Sequence, residues 1–154
     1  HDPKLLLLDE PTAGVDAKAR REFWDLIHDM AAQGLTVLVS THYMDEAERC
    51  KRVVYLSEGH IILQGTAHEV VQNSSLVTFE GSGEDVDAVA MRLRATRGVE
   101  SAAVFGPVLR IAGTDRGAIE NAIRAQGTGL TWAEVEPRLE DVFIHHLTYT
   151  REKG

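Results

Sequence analysis

The apolar residues near the start of the sequence form two runs, residues 5–8 and residues 35–39, of which the second is interrupted only by Thr36. Apolar runs of this length are typical of parallel strands that are buried on both faces. Between the runs, apolar residues recur at helical spacing, after Asp16 as a helix N-cap and before Gly34 as a helix end. Because a strand, a helix and a strand joined by short turns form a crossover unit, we expect the two strands to be parallel.

After the crossover the sequence predicts three further features, and the pattern changes only beyond the last of them, a linker. Residues 52–56 and 61–63 predict a hairpin, Thr66 and Glu69 match a capping box that opens a short helix, and residues 72–75 have the composition of a linker. The rest of the chain alternates between strand and helix patterns. The predicted strands are residues 76–80, 99–105, 108–112 and 130–136, and the predicted helices are residues 85–96, 115–126 and 137–147. Strand-helix-strand-strand-helix-strand is the ferredoxin-like order.

Composition narrows the class of protein. The chain has 154 residues, enough for one ordinary domain or two small ones, and a formal net charge of −8, which argues against nucleic acid as the main partner. None of its apolar runs approaches the ~20 residues needed to span a bilayer. The single cysteine, Cys50, cannot form a disulfide within the chain, which fits a reducing compartment.

Candidate chemistry follows each of the first two strands. Asp9 and Glu10 end the first apolar run, and His42 comes shortly after the second. Parallel strands finish at the same edge of a sheet, where open α/β sheets bind ligands, so these residues are predicted to share one rim. Asp9 is suited to holding magnesium through water, and Glu10 to accepting a proton from an attacking water. On this signal alone a purely structural role for either the acids or the histidine remains open.

The surrounding residues make the pattern more specific. Four leucines and two acids form a Walker B pattern, Pro11-Thr12-Ala13-Gly14-Val15-Asp16 follows directly, and Val39-Ser40-Thr41-His42 comes one helix and one strand later. In this order the motifs resemble the ABC ATPase family. The resemblance implies that Glu10 and His42 are catalytic, with His42 as the switch histidine that reaches the γ-phosphate of ATP. It also implies that Asp9, Gly14, Asp16, Ser40 and Thr41 contribute to binding Mg²⁺ and ATP, with Gly14 and Asp16 in the D-loop that touches a second subunit.

Further segments resemble one branch of that family, the ATPase subunits of drug-type bacterial exporters. They are residues 40–48, Gly59-His60-Ile61, Gly65-Thr66 and the closing stretch Leu139-Glu140-Asp141-Val142-Phe143. The resemblance implies a subunit that hydrolyses ATP in a head-to-tail dimer and powers export through a membrane-embedded permease subunit. It implies a cytoplasmic location, peripheral on the inner face of the membrane.

The sequence also departs from the family pattern. It has no Gly-x-x-x-x-Gly-Lys-Ser/Thr phosphate loop, no Gln loop and no Leu-Ser-Gly-Gly signature, all of which the family would place before His1. The predicted fold is therefore α/β: a partial P-loop NTPase sheet of the ABC type in residues 1–73, without its Walker A half, and a small α+β ferredoxin-like domain in residues 76–150. In the family that the sequence resembles, a phosphate-loop strand lies between the strands that correspond to the first two strands here. Because this sequence lacks the phosphate loop, the chain alone is expected to be inactive.

Two other functions remain open from the sequence. A non-transport ABC ATPase of the translation or DNA-repair type would share the same motifs. A regulatory or interaction fragment without its own activity is equally compatible with a sequence that contains half of a catalytic site.

Overall fold

The computed structural model describes residues 4–127 and 129–151, with side chains as far as residue 147 in the last helix. The chain separates into two compact units, residues 1–49 and residues 50–154. Residues 1–3 and 128, which the predicted domains include, and residues 152–154 lie outside the described residues. The secondary structure is a mixture of helices and strands, as the α/β prediction requires.

The first unit is a strand-helix-strand crossover followed by one short helix. Its elements are β1 (Leu5–Asp9), α1 (Ala17–Ala32), β2 (Thr36–Ser40) and α2 (Met44–Ala47). β1 and β2 are parallel, in a register that pairs Leu5 with Thr36 and Asp9 with Ser40. The N-cap of α1 is Asp16, as predicted, and Gly34 follows the helix with φ +98°, a conformation that favours glycine.

β1 and β2 pair directly over five residues. The prediction that both faces of these strands are buried is wrong, because Leu5, Leu7 and Leu38 on one face are 53%, 64% and 63% exposed. Within residues 4–49 the structure places α1 as the main helix of the unit, and a single long helix can cover only one face of a two-stranded sheet.

The second unit begins with a hairpin and a short helix. The strands β3 (Val53–Ser57) and β4 (His60–Gly65) are antiparallel, and α3 (Ala67–Asn73) opens with the predicted capping box. The hydroxyl of Thr66 accepts from the Glu69 amide at 3.1 Å, and the Glu69 carboxylate accepts from the Thr66 amide at 2.8 Å. These bonds satisfy two of the donors that a helix start leaves unpaired.

A four-stranded antiparallel sheet forms the rest of the second unit. Its elements are β5 (Val77–Gly83), α4 (Val86–Arg94), β6 (Ser101–Phe105), β7 (Val108–Gly113), α5 (Arg116–Ala125), β8 (Leu130–Val135) and the terminal helix α6 (Leu139–Arg151). The strands lie in the order β6-β7-β5-β8. The core between the sheet and its helices is apolar, with Leu93, Leu109, Ile111 and Ile119 fully buried. The four strands and the three helices occur where the alternation predicts them, with bounds shifted by a few residues.

A buried ion pair fixes α6 to this sheet. Arg110 on β7 is 4% exposed and donates two hydrogen bonds to Asp141, at 3.0 Å from Nε and 2.6 Å from Nη2. The same guanidinium also contacts Glu80 on β5. Asp141 in turn accepts from the Arg138 amide at 2.7 Å and so caps the start of α6.

We expect Asp141→Asn to destabilise the second unit by about 3 kcal/mol, since the buried Arg110 charge would lose its buried partner and keep only the partly exposed Glu80. Glu134→Gln is the matched control. The Glu134 side chain also binds an arginine, Arg116, but there the two side chains are 45% and 52% exposed, so the loss of stability should be much smaller than that of Asp141→Asn. Urea unfolding followed by circular dichroism measures both; equal losses in the two variants would contradict the prediction.

The predicted linker at residues 72–75 lies inside the second compact unit rather than between the two units. The Tyr55 ring on β3 packs against Phe143 on α6 at a centroid distance of 4.6 Å, which ties the hairpin to the terminal helix. These observations do not test where the two predicted domains meet, so a domain boundary at residues 73–76 stays a prediction.

Candidate functional site

The predicted acids and the serine meet at the carboxyl ends of β1 and β2. The Ser40 hydroxyl donates to the Asp9 carboxylate, and the Glu10 amide donates to both Ser40 oxygens, at 3.0 Å to the carbonyl and 3.2 Å to the hydroxyl. The parallel pairing of Asp9 with Ser40 produces this arrangement directly. The two strand ends thus form one hydrogen-bonded rim with the carboxylates exposed to solvent.

Glu10 has a left-handed backbone, with φ +42°. Residues other than glycine rarely adopt this conformation, which costs on the order of 1–3 kcal/mol and occurs most often at functional sites. The bonds from the Glu10 amide to Ser40 hold the conformation in place. The turn directs the chain away from the strand immediately after Asp9, while the Glu10 side chain remains 52% exposed at the rim.

His42 lies beside Glu10. Its Nδ1 is 3.3 Å from Glu10 Oε1, and its ring packs on Tyr43 at a centroid distance of 4.2 Å. The side chain is 57% exposed. The structure therefore brings together both residues that the sequence predicts as catalytic, at the edge where the crossover places them.

Of the remaining predicted residues, Gly14 and Asp16 shape the turn before α1, and Thr41 belongs to the segment after β2. Gly14 has φ +73° with open space around its Cα, so its conformation rather than its small size explains the glycine. Asp16 accepts from Lys18 and Ala19 amides at 2.9 and 3.0 Å as the N-cap of α1. Thr41 points inward, since its hydroxyl accepts from the Tyr43 amide at 3.1 Å and donates to Glu46.

Glu46 is a residue whose position sequence reasoning did not foresee. An acid beside Asp45 in the first turn of a short helix would ordinarily be solvated, yet the Glu46 side chain is fully buried. Thr12 donates to Glu46 Oε1 at 2.5 Å, and Thr41 donates to Oε2 at 2.7 Å. Burial acts to raise the pKa of Glu46, but the two threonine hydrogen bonds and the nearby Arg20 charge outweigh it and hold the pKa below its ordinary value.

Arg20 is a second polar residue that the helical pattern alone misplaces. That pattern predicts that Arg20 lies on the solvated face of α1 with Lys18 and Arg21, but its guanidinium lies over the Tyr43 ring at 4.2 Å and its Nε is 3.6 Å from Glu46. The stacking is a cation–π contact. Arg20 therefore packs against the segment after β2.

The donors at the rim fit magnesium bound through water. Mg²⁺ commonly keeps several waters and takes one or two carboxylates together with substrate phosphates. Asp9 provides such a carboxylate, with its orientation fixed by the Ser40 hydroxyl. Across residues 4–127 and 129–151, His, Cys, Asp and Glu do not cluster in threes at a point where they could enclose an ion. A closed, all-protein cage is thus not what these residues form.

Comparison with known proteins identifies the class to which this fold and rim belong: the chain is homologous to ATP-binding proteins of ABC transporters. It is 34% identical over 148 residues to the probable multidrug ABC transporter ATP-binding protein YbhF of Escherichia coli K12, covering 93% of this chain and 25% of that protein. It is 35% identical over 147 residues to the Nod factor export ATP-binding protein I of Rhizobium leguminosarum bv. viciae, covering 94% and 46%. No family model matches.

Solved structures also match, among them cbiO1 from Clostridium perfringens, described as part of the ABC transporter complex cbiONQ. The match has 35% identity, covers 60% of this chain and 34% of that chain, and has a TM-score of 0.43. The chain spans a quarter to about half the length of the curated relatives it matches.

Proposed function

We propose that this chain is part of a longer protein, here called the parent protein, that binds and hydrolyses ATP to power export through a membrane partner. The observation that carries the proposal is the rim at which Asp9, Glu10, Ser40 and His42 meet. The names of the relatives support transport, since they include a probable multidrug transporter protein and a Nod factor export protein.

In the proposed mechanism each rim residue has a separate task. Asp9, oriented by Ser40, holds magnesium through water, and the ion when bound neutralises charge on the phosphates. Glu10 accepts a proton from the attacking water. His42, next to Glu10, contacts the γ-phosphate, while Ser40 keeps Asp9 and Glu10 in register. Both carboxylates are exposed at the strand ends, where a phosphate and its water can reach them.

We further propose that Gly14 and Asp16 contact a second ATPase subunit in a head-to-tail dimer, and that Thr41 supports the nucleotide site from behind. The left-handed Gly14 and the N-cap at Asp16 form a defined turn, which is the kind of segment a partner can recognise. The other partner is a membrane-embedded permease subunit, which places the parent protein in the cytoplasm at the inner face of the membrane. In the part of the chain that the structure describes, helices long and apolar enough to cross a membrane do not occur.

For the second half of the chain we propose a ferredoxin-like accessory domain, residues 76–150, that follows the ATPase part in residues 1–73. The strand order β6-β7-β5-β8 with α4 and α5 as connections supports it. The closing helix α6, fixed to the sheet through Asp141, is then part of this domain.

The test compares the parent protein with the chain alone. The parent protein is expected to release phosphate from Mg-ATP, to stop when EDTA removes the metal, and to recover when Mg²⁺ is restored. The chain alone is expected to show neither turnover nor micromolar binding in calorimetry, because nucleotide affinity in P-loop enzymes depends on the phosphate loop and its lysine. A parent protein without magnesium-dependent turnover would refute the proposed function, and tight binding by the chain alone would refute its expected inactivity.

A further inference from the structure

Glu46 connects the two segments that carry the proposed catalytic residues. One carboxylate oxygen accepts from Thr12, two residues after Glu10, and the other accepts from Thr41, one residue before His42. Glu46 and Thr12 are 0% and 1% exposed. A buried carboxylate without its hydrogen-bond donors lowers the stability of the folded state. Glu46 therefore holds each threonine in place.

A second set of contacts follows the same path. Arg20 on α1 lies 3.6 Å from Glu46 and stacks over Tyr43. The Tyr43 ring in turn packs on His42 at 4.2 Å. The charge of Glu46 therefore also fixes the aromatic surface against which the His42 ring rests.

From this geometry we infer that Glu46 is a positioning residue for the proposed hydrolysis: it locks the segment after β1 to the segment after β2, so that Glu10 and His42 keep one relative placement. The inference rests on the proposed function. Glu46 itself touches neither Glu10 nor His42 in the contacts described above, and it acts through the threonines and Tyr43. A positioning role differs from a purely structural role, because loosening the link should impair the reaction step more than it impairs folding or nucleotide binding.

The test is Thr12→Val in the parent protein, which removes the hydroxyl that donates to Glu46 and keeps the shape of the side chain. We expect kcat to fall roughly tenfold to a hundredfold with the KM for ATP nearly unchanged, since small displacements of catalytic groups have effects of that size. Thr12→Ser, which keeps the hydroxyl, should restore most of the turnover. Glu46→Gln, which keeps the size but removes the charge facing Arg20, should lower kcat in the same way.

The matched control is Thr66→Val, which also removes a threonine hydroxyl but at the start of α3. It should lower the melting temperature and leave kcat unchanged. Two results would overturn the inference. One is a wild-type kcat in Thr12→Val, and the other is a fall in kcat that accompanies the loss of stability to the same extent in both threonine variants.

Hydrogen exchange separates this inference from the proposed function. In Thr12→Val the amides of residues 41–43 should exchange faster, although they lie about thirty residues away in sequence, and those of residues 67–73 should not change. If the parent protein shows no ATP hydrolysis but this exchange pattern is found, the proposed function fails while the link through Glu46 stands. Unchanged exchange at residues 41–43 would refute the link itself.

Discussion

Glu10→Gln is expected to lower ATP hydrolysis by the parent protein by roughly 10²–10⁴-fold, the range for losing a general base. Glutamine keeps the size of the side chain and can keep the left-handed turn at residue 10, but it cannot accept a proton from water. The 3.3 Å contact with His42 Nδ1 is also reduced to a neutral hydrogen bond. Binding of Mg-ATP should persist, because the change leaves Asp9 and its bond from Ser40 in place.

Steady-state phosphate release and nucleotide binding by calorimetry measure the two effects separately. The matched control is Glu22→Gln on α1, where an exposed glutamate pairs with exposed Lys18 at 3.8 Å. That variant should hydrolyse ATP at the wild-type rate. If Glu10→Gln hydrolyses as fast as the control, Glu10 is not the base, and the proton must be accepted elsewhere.

The rim of Asp9, Glu10 and His42 could be predicted because it depends on local signals. Two apolar runs define the strands, Asp16 and Gly34 mark the ends of the helix between them, and a crossover brings both strand ends to one edge. Once the strands are parallel, residues that follow them directly must lie close together. The sequence therefore sufficed for this placement, although the roles of the residues in catalysis remain proposals.

The buried link through Glu46 could not be predicted in the same way. Its partner Thr12 is 34 residues away, and an acid in the first turn of a short helix is most often solvated. The position of Arg20 is equally hidden from the sequence. A helical pattern shows which residues are polar, but it does not show which polar residues contact one another. Burial of a charge is decided by tertiary partners, and those partners are visible only in three dimensions.

The exposed leucines show the opposite limit. The run at residues 5–8 was correctly predicted as a parallel strand, yet the expected burial of both faces failed at Leu5 and Leu7. An apolar run indicates that a strand is suited to packing against apolar neighbours on both faces. It does not determine whether those neighbours lie among the described residues. Pairing direction followed from the crossover, whereas burial depends on what covers the second face.

His42→Ala is expected to lower hydrolysis by the parent protein by roughly 10²-fold or more, the lower end of what a group acting on the transferred phosphoryl contributes. The substitution removes the contact with Glu10 and the ring that packs on Tyr43, but no bond of the Asp9–Ser40 pair. Affinity for ADP should therefore stay nearly constant, because ADP has no γ-phosphate for the histidine to contact.

The comparison of ADP with ATP is what distinguishes a γ-phosphate contact from a folding role. His60→Ala serves as the control, since His60 is an exposed histidine at the start of β4 and its loss should change neither affinity nor turnover. Calorimetric titration of both variants with ADP and with a slowly hydrolysed ATP analogue gives the affinities, and phosphate release gives the rate. A loss of affinity for the triphosphate alone supports the contact with the γ-phosphate. An equal loss of affinity for both nucleotides would mean that His42 maintains the conformation of the segment after β2. The γ-phosphate would then need another partner.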